Sequence, residues 1–129
     1  MLYEDWNGKL NDLTPHSFKT WRGKHMLLPT ARQVDDFMRA IPKGQGVDVP
    51  TLKAELAAAN GAEVTCPVTV GYHLRTAAEA AWLAHEQGAA LEDITPFWRV
   101  IDHKVPTAKR LACGLEFLAQ QRMAEGLKP

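Results

Sequence analysis

An alanine-rich segment between Pro67 and Gly88 places the strongest constraint on how this chain folds. Apolar residues recur along it at helical spacing, Pro67 suits the first turn of a helix, and Gly88 suits its end. The periodic residues are Leu74, Ala77, Ala78, Ala81 and Trp82. A shorter helix is predicted just upstream, from about Asp48 to Gly61. Two helices in close succession predict a helix-turn-helix over about Val49 to Gln87.

Local signals also mark where the helices begin. Thr30 followed by Gln33 forms a capping-box pattern, and it precedes apolar residues at helical spacing. These residues are Val34, Phe37, Met38 and Ile41. Asp48 is placed to cap the next helix, whose inward stripe is Leu52, Leu56 and Ala59. A last helix is expected to end at Gly126. The pattern therefore predicts a helix-rich chain.

Three short motifs occur in a fixed order. Ile41-Pro42-Lys43-Gly44 follows the first capped helix, Pro96-Phe97-Trp98-Arg99-Val100 follows the alanine-rich one, and Glu125-Gly126 closes the last. Each motif alone carries little information. The ordered set resembles the DNA-binding domain of the O6-alkylguanine-DNA alkyltransferases, whose hallmark is a Pro-Cys-His-Arg-Val run that carries the alkyl-accepting cysteine. The resemblance covers roughly Leu28 to Gly126.

The resemblance implies a fold and a division of the chain. The fold expected is mainly α, a winged helix-turn-helix-like domain over residues 28–129 with a small strand or wing near Phe97–Asp102. The family's separate N-terminal domain has no counterpart here. Its place is taken by residues 1–27, where Gly and Pro punctuate the sequence and the aromatic residues have no helical spacing. We therefore predict an irregular arm that its aromatic side chains hold against the domain.

The family's chemistry is not expected to carry over. Alkyl transfer needs a thiolate that a hydrogen-bonded histidine activates. Phe97 stands where the family has that cysteine and Trp98 where it has the histidine. In this respect the chain is similar to the alkyltransferase-like proteins, which place Trp at the cysteine position and bind damaged bases without repairing them. We expect no alkyl transfer and no cofactor, and the implied base pocket comprises Pro96, Phe97, Trp98 and Arg99.

The resemblance also implies that DNA docks on the alanine-rich helix. Its first turns carry residue types that contact phosphates or base edges. The candidates are Thr69, Tyr72, His73, Arg75 and Thr76. The family's arginine that replaces a flipped nucleotide falls at Glu79 or Ala80 in this chain, which weakens the expectation of base flipping. The net charge of zero does not favour a strongly electrostatic binder, although basic residues cluster in the first third.

Three functional hypotheses stay open on the sequence. The first is a non-catalytic alkyltransferase-like protein that binds double-stranded, damaged or distorted DNA and has a role in DNA repair. The second is a protein-interaction module on a winged-helix scaffold, in which Phe97 and Trp98 are only core. The third is a thiol enzyme that uses Cys66, because a helix N-terminus favours a thiolate.

Composition excludes several other classes. The chain has 129 residues, of which 46% are hydrophobic and 23% charged, so a disordered or fibrous protein is not expected. No apolar run is long enough for a membrane span, and the histidines and cysteines lack the spacing of a metal site. The start lacks the pattern of a secretory signal, and two cysteines are too few for a disulfide framework. We expect a cytoplasmic protein without a bound metal.

Overall fold

Five α-helices and a three-stranded sheet make up residues 5–129, the part of the chain that the computed structural model describes. The helices are α1 (Trp6–Leu10), α2 (Ala31–Arg39), α3 (Val49–Ala59), α4 (Pro67–Glu86) and α5 (Gly114–Ala124). The strands are β1 (Ser17–Trp21), β2 (Lys24–Leu28) and β3 (Val64–Thr65). Short 3₁₀ helices occur at Leu91–Asp93, Phe97–Arg99 and Pro106–Arg110. Helix, including the 3₁₀ helices, accounts for about 54% of the described residues, which confirms the mainly α prediction.

The predicted helix caps are confirmed. The Thr30 hydroxyl accepts the Gln33 backbone N–H at 3.0 Å, and the Gln33 side chain accepts the Thr30 N–H at 2.9 Å. Asp48 accepts the Thr51 N–H at 2.8 Å and so begins α3. Gly61 follows that helix with a φ of +70°, a conformation that glycine adopts without strain. Side chains and backbone thus satisfy helix-terminal groups where the sequence indicated.

The irregular arm predicted for residues 1–27 is wrong over its described part, which starts at residue 5. It contains α1 and an antiparallel hairpin of β1 and β2. Arg22 and Gly23 connect the two strands with φ values of +50° and +77°. A turn with both φ values positive matches the twist of a hairpin, but it usually carries Asn-Gly or Asp-Gly, so Arg-Gly gave no signal. The predicted domain boundary at residue 28 falls at the end of β2.

The two helices of the predicted helix-turn-helix are present, but a strand lies between them. Residues 60–66 contain β3, which pairs in parallel with β2. Helix α4 packs mainly against α2 and α1, whereas α3 packs against β2 and β3. Within α3, Leu52 and Leu56 are buried as predicted and Ala59 is exposed. A winged-helix arrangement is therefore not shown by these contacts.

The strand or wing predicted at Phe97–Asp102 is wrong, because Phe97–Arg99 forms a 3₁₀ helix. The Phe97 carbonyl accepts the N–H groups of Val100 at 3.2 Å and Ile101 at 2.9 Å. Backbone groups satisfied within one turn are not available for a ladder with another strand. Val100 and Ile101 have the β-branched side chains typical of strands, but here the core buries them.

The rings of the central motif lie in the hydrophobic core. Phe97 is 0% exposed and Trp98 is 3% exposed. Their ring centroids are 5.3 Å apart in an edge-to-face arrangement, and Phe117 of α5 lies 6.2 Å from both rings. Edge-to-face aromatic contacts of this kind add to the free energy of burial. The motif therefore holds α5 against the rest of the fold.

Removal of the Phe97 ring should destabilise the protein strongly. Phe97→Ala is expected to lower the free energy of unfolding by about 3–5 kcal/mol, because a fully buried ring leaves a cavity. Urea denaturation checks this. Leu115→Ala is the control, since Leu115 is 45% exposed and its truncation should cost less than about 0.5 kcal/mol. An unchanged stability in Phe97→Ala would show that the ring lines an open space.

Candidate functional site

Arg99 belongs to the central sequence motif and contacts both of the other motifs. Its guanidinium donates to both carboxylate oxygens of Glu125, Nε to Oε1 at 2.9 Å and Nη2 to Oε2 at 3.1 Å. The remaining Nη1 donates to the Ile41 carbonyl at 2.7 Å. The fork geometry of guanidinium suits this two-point contact with a carboxylate. Segments far apart in sequence are held together by one side chain.

Glu125 completes this cluster from the end of α5. Its carboxylate accepts the Trp98 indole N–H at 2.7 Å and the Gly44 backbone N–H at 2.8 Å. Burial opposes the ionisation of this carboxyl group. Hydrogen bonds from Arg99, Gly44 and Trp98, together with the positive charge of Arg99, outweigh the effect of burial. They lower the pKa of Glu125 to about 2. The carboxylate is therefore charged at neutral pH. Its role is to hold three loops in place.

The predicted base pocket is not open in the structure. Pro96, Phe97 and Trp98 are buried, and Arg99 is engaged with Glu125 and the backbone of Ile41. None of the four predicted residues lines the groove of about 770 Å³ or the smaller cavity of about 340 Å³ that are described below. Two large rings fill the space in which the sequence predicted a base pocket.

An open groove of about 770 Å³ lies beside the first turns of α3 and α4. Helix α1 and residues 100–110 form its other walls. Its apolar floor includes Val49, Pro67, Val100 and Val105, and the exposed Val68 also lines it. Two aromatic rings, Trp6 and Tyr72, border it, and the Tyr72 side chain is 59% exposed. A concave, mainly apolar groove of this size is typical of a ligand site.

Basic side chains outnumber acidic ones around this groove. The cations are Lys9, Lys53, Arg75, Lys104 and Arg110. The carboxylates are Asp48 and Asp102, and each already accepts a backbone N–H, from Thr51 and Lys104 respectively. Hydrogen bonding to Thr51 lowers the pKa of Asp48, so this carboxylate is charged at neutral pH. The balance favours an anionic ligand although the whole chain is neutral.

Arg75 is held between an aromatic ring and a buried carboxylate. Its guanidinium lies 5.1 Å from the Trp6 ring centroid, and its Nε is 3.8 Å from Oε2 of Glu79. Burial raises the pKa of Glu79, although the Ala112 N–H and the charge of Arg75 act in the other direction. Arg75 therefore serves the packing of α1 on α4 as well as the charge of the groove.

The five predicted DNA-binding residues point in different directions. Arg75 lines the groove, His73 and Thr76 line a second cavity of about 340 Å³, and Tyr72 lines both. Thr76 is 1% exposed and donates its hydroxyl to the Tyr72 carbonyl at 3.2 Å, so its predicted contact with DNA is wrong. Burial lowers the pKa of His73 against the effect of a hydrogen bond with Pro29. Thr69 is half-buried and lines neither cavity.

The sequence did not indicate the contribution of α1 to the groove. Trp6 and Lys9 lie on this helix, and Lys9 Nζ is 4.9 Å from the Trp6 ring and 5.7 Å from the Tyr72 ring. One signal was available, because Asp5 accepts the Gly8 N–H at 2.9 Å as a helix cap. A helix of five residues is too short to show an apolar period.

Neither cysteine lines the groove. Burial opposes ionisation of Cys66. The pKa of this thiol is nevertheless lowered by hydrogen bonds from the Thr69 side chain and from the N–H groups of Thr69 and Val68, and by the charge of Lys19. Burial and the nearby charge of Glu79 raise the pKa of Cys113 to about 11.

Within residues 5–129, no cluster of three or more His, Cys, Asp or Glu side chains is arranged to hold a metal ion. The helices of the same residues are too short or too polar to span a bilayer.

Comparisons with family models, with curated proteins and with solved structures find no match to this chain.

The contacts of Glu125 predict that neutralising its carboxylate lowers the free energy of unfolding, by an amount that depends on pH. Since the pKa is lowered by folding, the stability that the carboxylate contributes is present above pH 4.5 and is lost as the pH falls towards about 2. Glu125→Gln should therefore lower the free energy of unfolding at pH 7, by about 2 kcal/mol after allowance for solvent screening. Denaturant unfolding at several pH values measures this difference.

The difference between wild type and Glu125→Gln should shrink as the pH falls below 4.5. Glu116→Gln provides the control, because Glu116 is exposed and should cause little change at any pH. A difference that stays constant down to the acid limit would contradict the charged role of Glu125.

Proposed function

We propose that this chain binds double-stranded DNA without chemical catalysis and that its groove receives a base displaced from the duplex. The observation that carries the proposal is the composition of the groove, with aromatic and apolar walls and five basic side chains at its border. A nucleotide has the same combination, a flat apolar base attached to an anionic phosphate. The ordered motifs that Arg99 and Glu125 connect support a relation to the alkyltransferase-like proteins.

The groove suits the base itself. Its volume of about 770 Å³ lies within the usual range for small-molecule sites, so a base and its sugar fit. The Tyr72 ring is 59% exposed at the border and offers a face for stacking. Stacking of a base on an aromatic side chain contributes about 1–3 kcal/mol. This contribution is comparable to the cost of extruding a mispaired base.

The border of the groove suits the phosphates. Lys53 lies on α3 and Arg75 on α4, while Lys104 and Arg110 come from the opposite wall. The first turns of α3 and α4 also direct their partial positive charge to this side. Phosphate contacts fix the position of a protein on a duplex and carry no sequence information. We therefore propose that the protein recognises the shape and the damage of DNA and not its base sequence.

The proposal contains no alkyl transfer. Neither Cys66 nor Cys113 lines the groove, and Phe97 fills the position of the family's acceptor cysteine with a fully buried ring. A thiolate nucleophile within reach of the bound base is what that reaction needs. Binding without reaction is the function that these residues support.

A protein-interaction module is the second candidate. Val68 is 79% exposed at the tip of α4, directly beside the apolar floor of the groove. An exposed apolar residue next to a concave apolar surface also fits the side chain of a protein partner. The basic border favours DNA over this alternative, because a partner protein would need to bring matching acidic residues.

Tyr72→Ala should weaken binding to a duplex that carries one mispaired base, by about 5- to 100-fold, because the stacking face is lost. Fluorescence anisotropy at low salt measures the affinity. Tyr72→Phe is the control, since it keeps the ring and should bind about as well as wild type. Tyr72 is a better choice than Arg75, whose removal would leave the buried Glu79 without its cation.

The fully paired duplex provides a second comparison. Wild type should prefer the mispaired duplex, and Tyr72→Ala should lose most of that preference, since extrusion costs least at a mispair. Equal affinities of wild type and Tyr72→Ala would show that the groove does not hold a base. Absence of duplex binding by wild type at low salt would reject DNA as the partner and favour the protein-interaction module.

A further inference from the structure

The hairpin of β1 and β2 is an exposed and basic element of the described chain. All five residues of β1 are exposed. The hairpin carries Lys19, Arg22 and Lys24, and the sequence contains no Asp or Glu between Asp12 and Asp35. A concentrated positive charge on a neutral protein needs a reason other than general solubility.

The strand register places two of these cations on one face with an aromatic ring. Trp21 is opposite Lys24, and Lys19 is opposite Met26. Because side chains alternate between faces along a strand, Lys19, Trp21 and Lys24 share a face. The Arg22 guanidinium, in the turn, lies 4.7 Å from the Trp21 ring centroid. The tip of the hairpin is thus a basic surface around one ring that is 44% exposed.

The three cations are available for an anionic partner. Within residues 5–129, none of Lys19, Arg22 and Lys24 forms an ion pair. One acidic side chain lies beside the hairpin: Glu63 accepts the His25 backbone N–H at 3.0 Å through Oε1. The positive charges of the hairpin therefore outnumber the carboxylate charge of Glu63 beside it.

The hairpin and the groove both adjoin the start of α4. The Cys66 N–H donates to the Leu27 carbonyl at 2.8 Å, so β2 is tied directly to the residue that precedes the helix. The next two residues, Pro67 and Val68, line the groove. A duplex that covers the start of α4 would therefore contact both elements.

We propose that the basic face of the β1–β2 hairpin binds the phosphate backbone of the same duplex whose displaced base enters the groove. This inference rests on the proposed function and adds a second contact surface to it. A two-stranded ribbon fits beside or within a duplex groove. Lysines that neutralise phosphates release counterions, so the contact has a distinct salt dependence.

The test compares two double variants of equal charge. Lys19→Ala with Lys24→Ala removes two cations from the hairpin face, and Lys43→Ala with Lys128→Ala removes two exposed cations that belong neither to the hairpin nor to the groove. Affinity for a fully paired and a mispaired duplex is measured at several salt concentrations. The hairpin variant should weaken binding to both and reduce the slope of log affinity against log salt by about 2.

The control variant should keep a slope close to that of wild type, and thermal unfolding of both variants should match wild type because the substituted side chains are exposed. An unchanged slope in the hairpin variant, or an equal loss in both variants, would overturn the hairpin contact. If Tyr72→Ala still weakens binding in that case, the proposed function stands without the hairpin contact. If wild type binds neither duplex at low salt, both proposals fail together.

Discussion

Arg99 and Glu125 form the contact on which the arrangement of the loops depends. One ion pair joins the loop after α2, the 3₁₀ turn of the central motif and the end of α5 through hydrogen bonds to Ile41, Trp98 and Gly44. The side chains of Arg99 and Glu125 are only 14% and 6% exposed. Loss of one member of such a pair is destabilising, because the other charge stays buried without its partner.

The same contact fixes one wall of the groove. The Arg99 carbonyl accepts the Val47 N–H at 2.9 Å, immediately before the cap of α3 at Asp48, and Val100 lies in the groove floor. A residue that ties three loops through its side chain thus orients the start of α3 through its backbone. The central motif therefore has a structural role in positioning the groove. It also means that variants of Arg99 cannot separate folding from binding.

The sequence correctly predicted the features of the structure that depend on neighbouring residues alone. The caps at Thr30 and Asp48 were predicted because a side chain and a nearby backbone N–H decide them. The hairpin was missed because its turn uses Arg22 with a positive φ, and the 3₁₀ turn at Phe97 was mistaken for a strand because its β-branched neighbours are buried by the core. The groove joins α1, α3, α4 and residues 100–110, so no local pattern could indicate it.

Titration of ¹⁵N-labelled protein with a mispaired duplex at low salt tests whether the groove and the hairpin bind DNA. Amide signals of Val68 and Tyr72 at the groove and of Lys19 at the hairpin should shift together as DNA is added. Signals of Glu116 and Gln120, exposed on α5, should stay in place. Shifts confined to α5, or no shifts at all, would contradict the assignment of the groove as a DNA site.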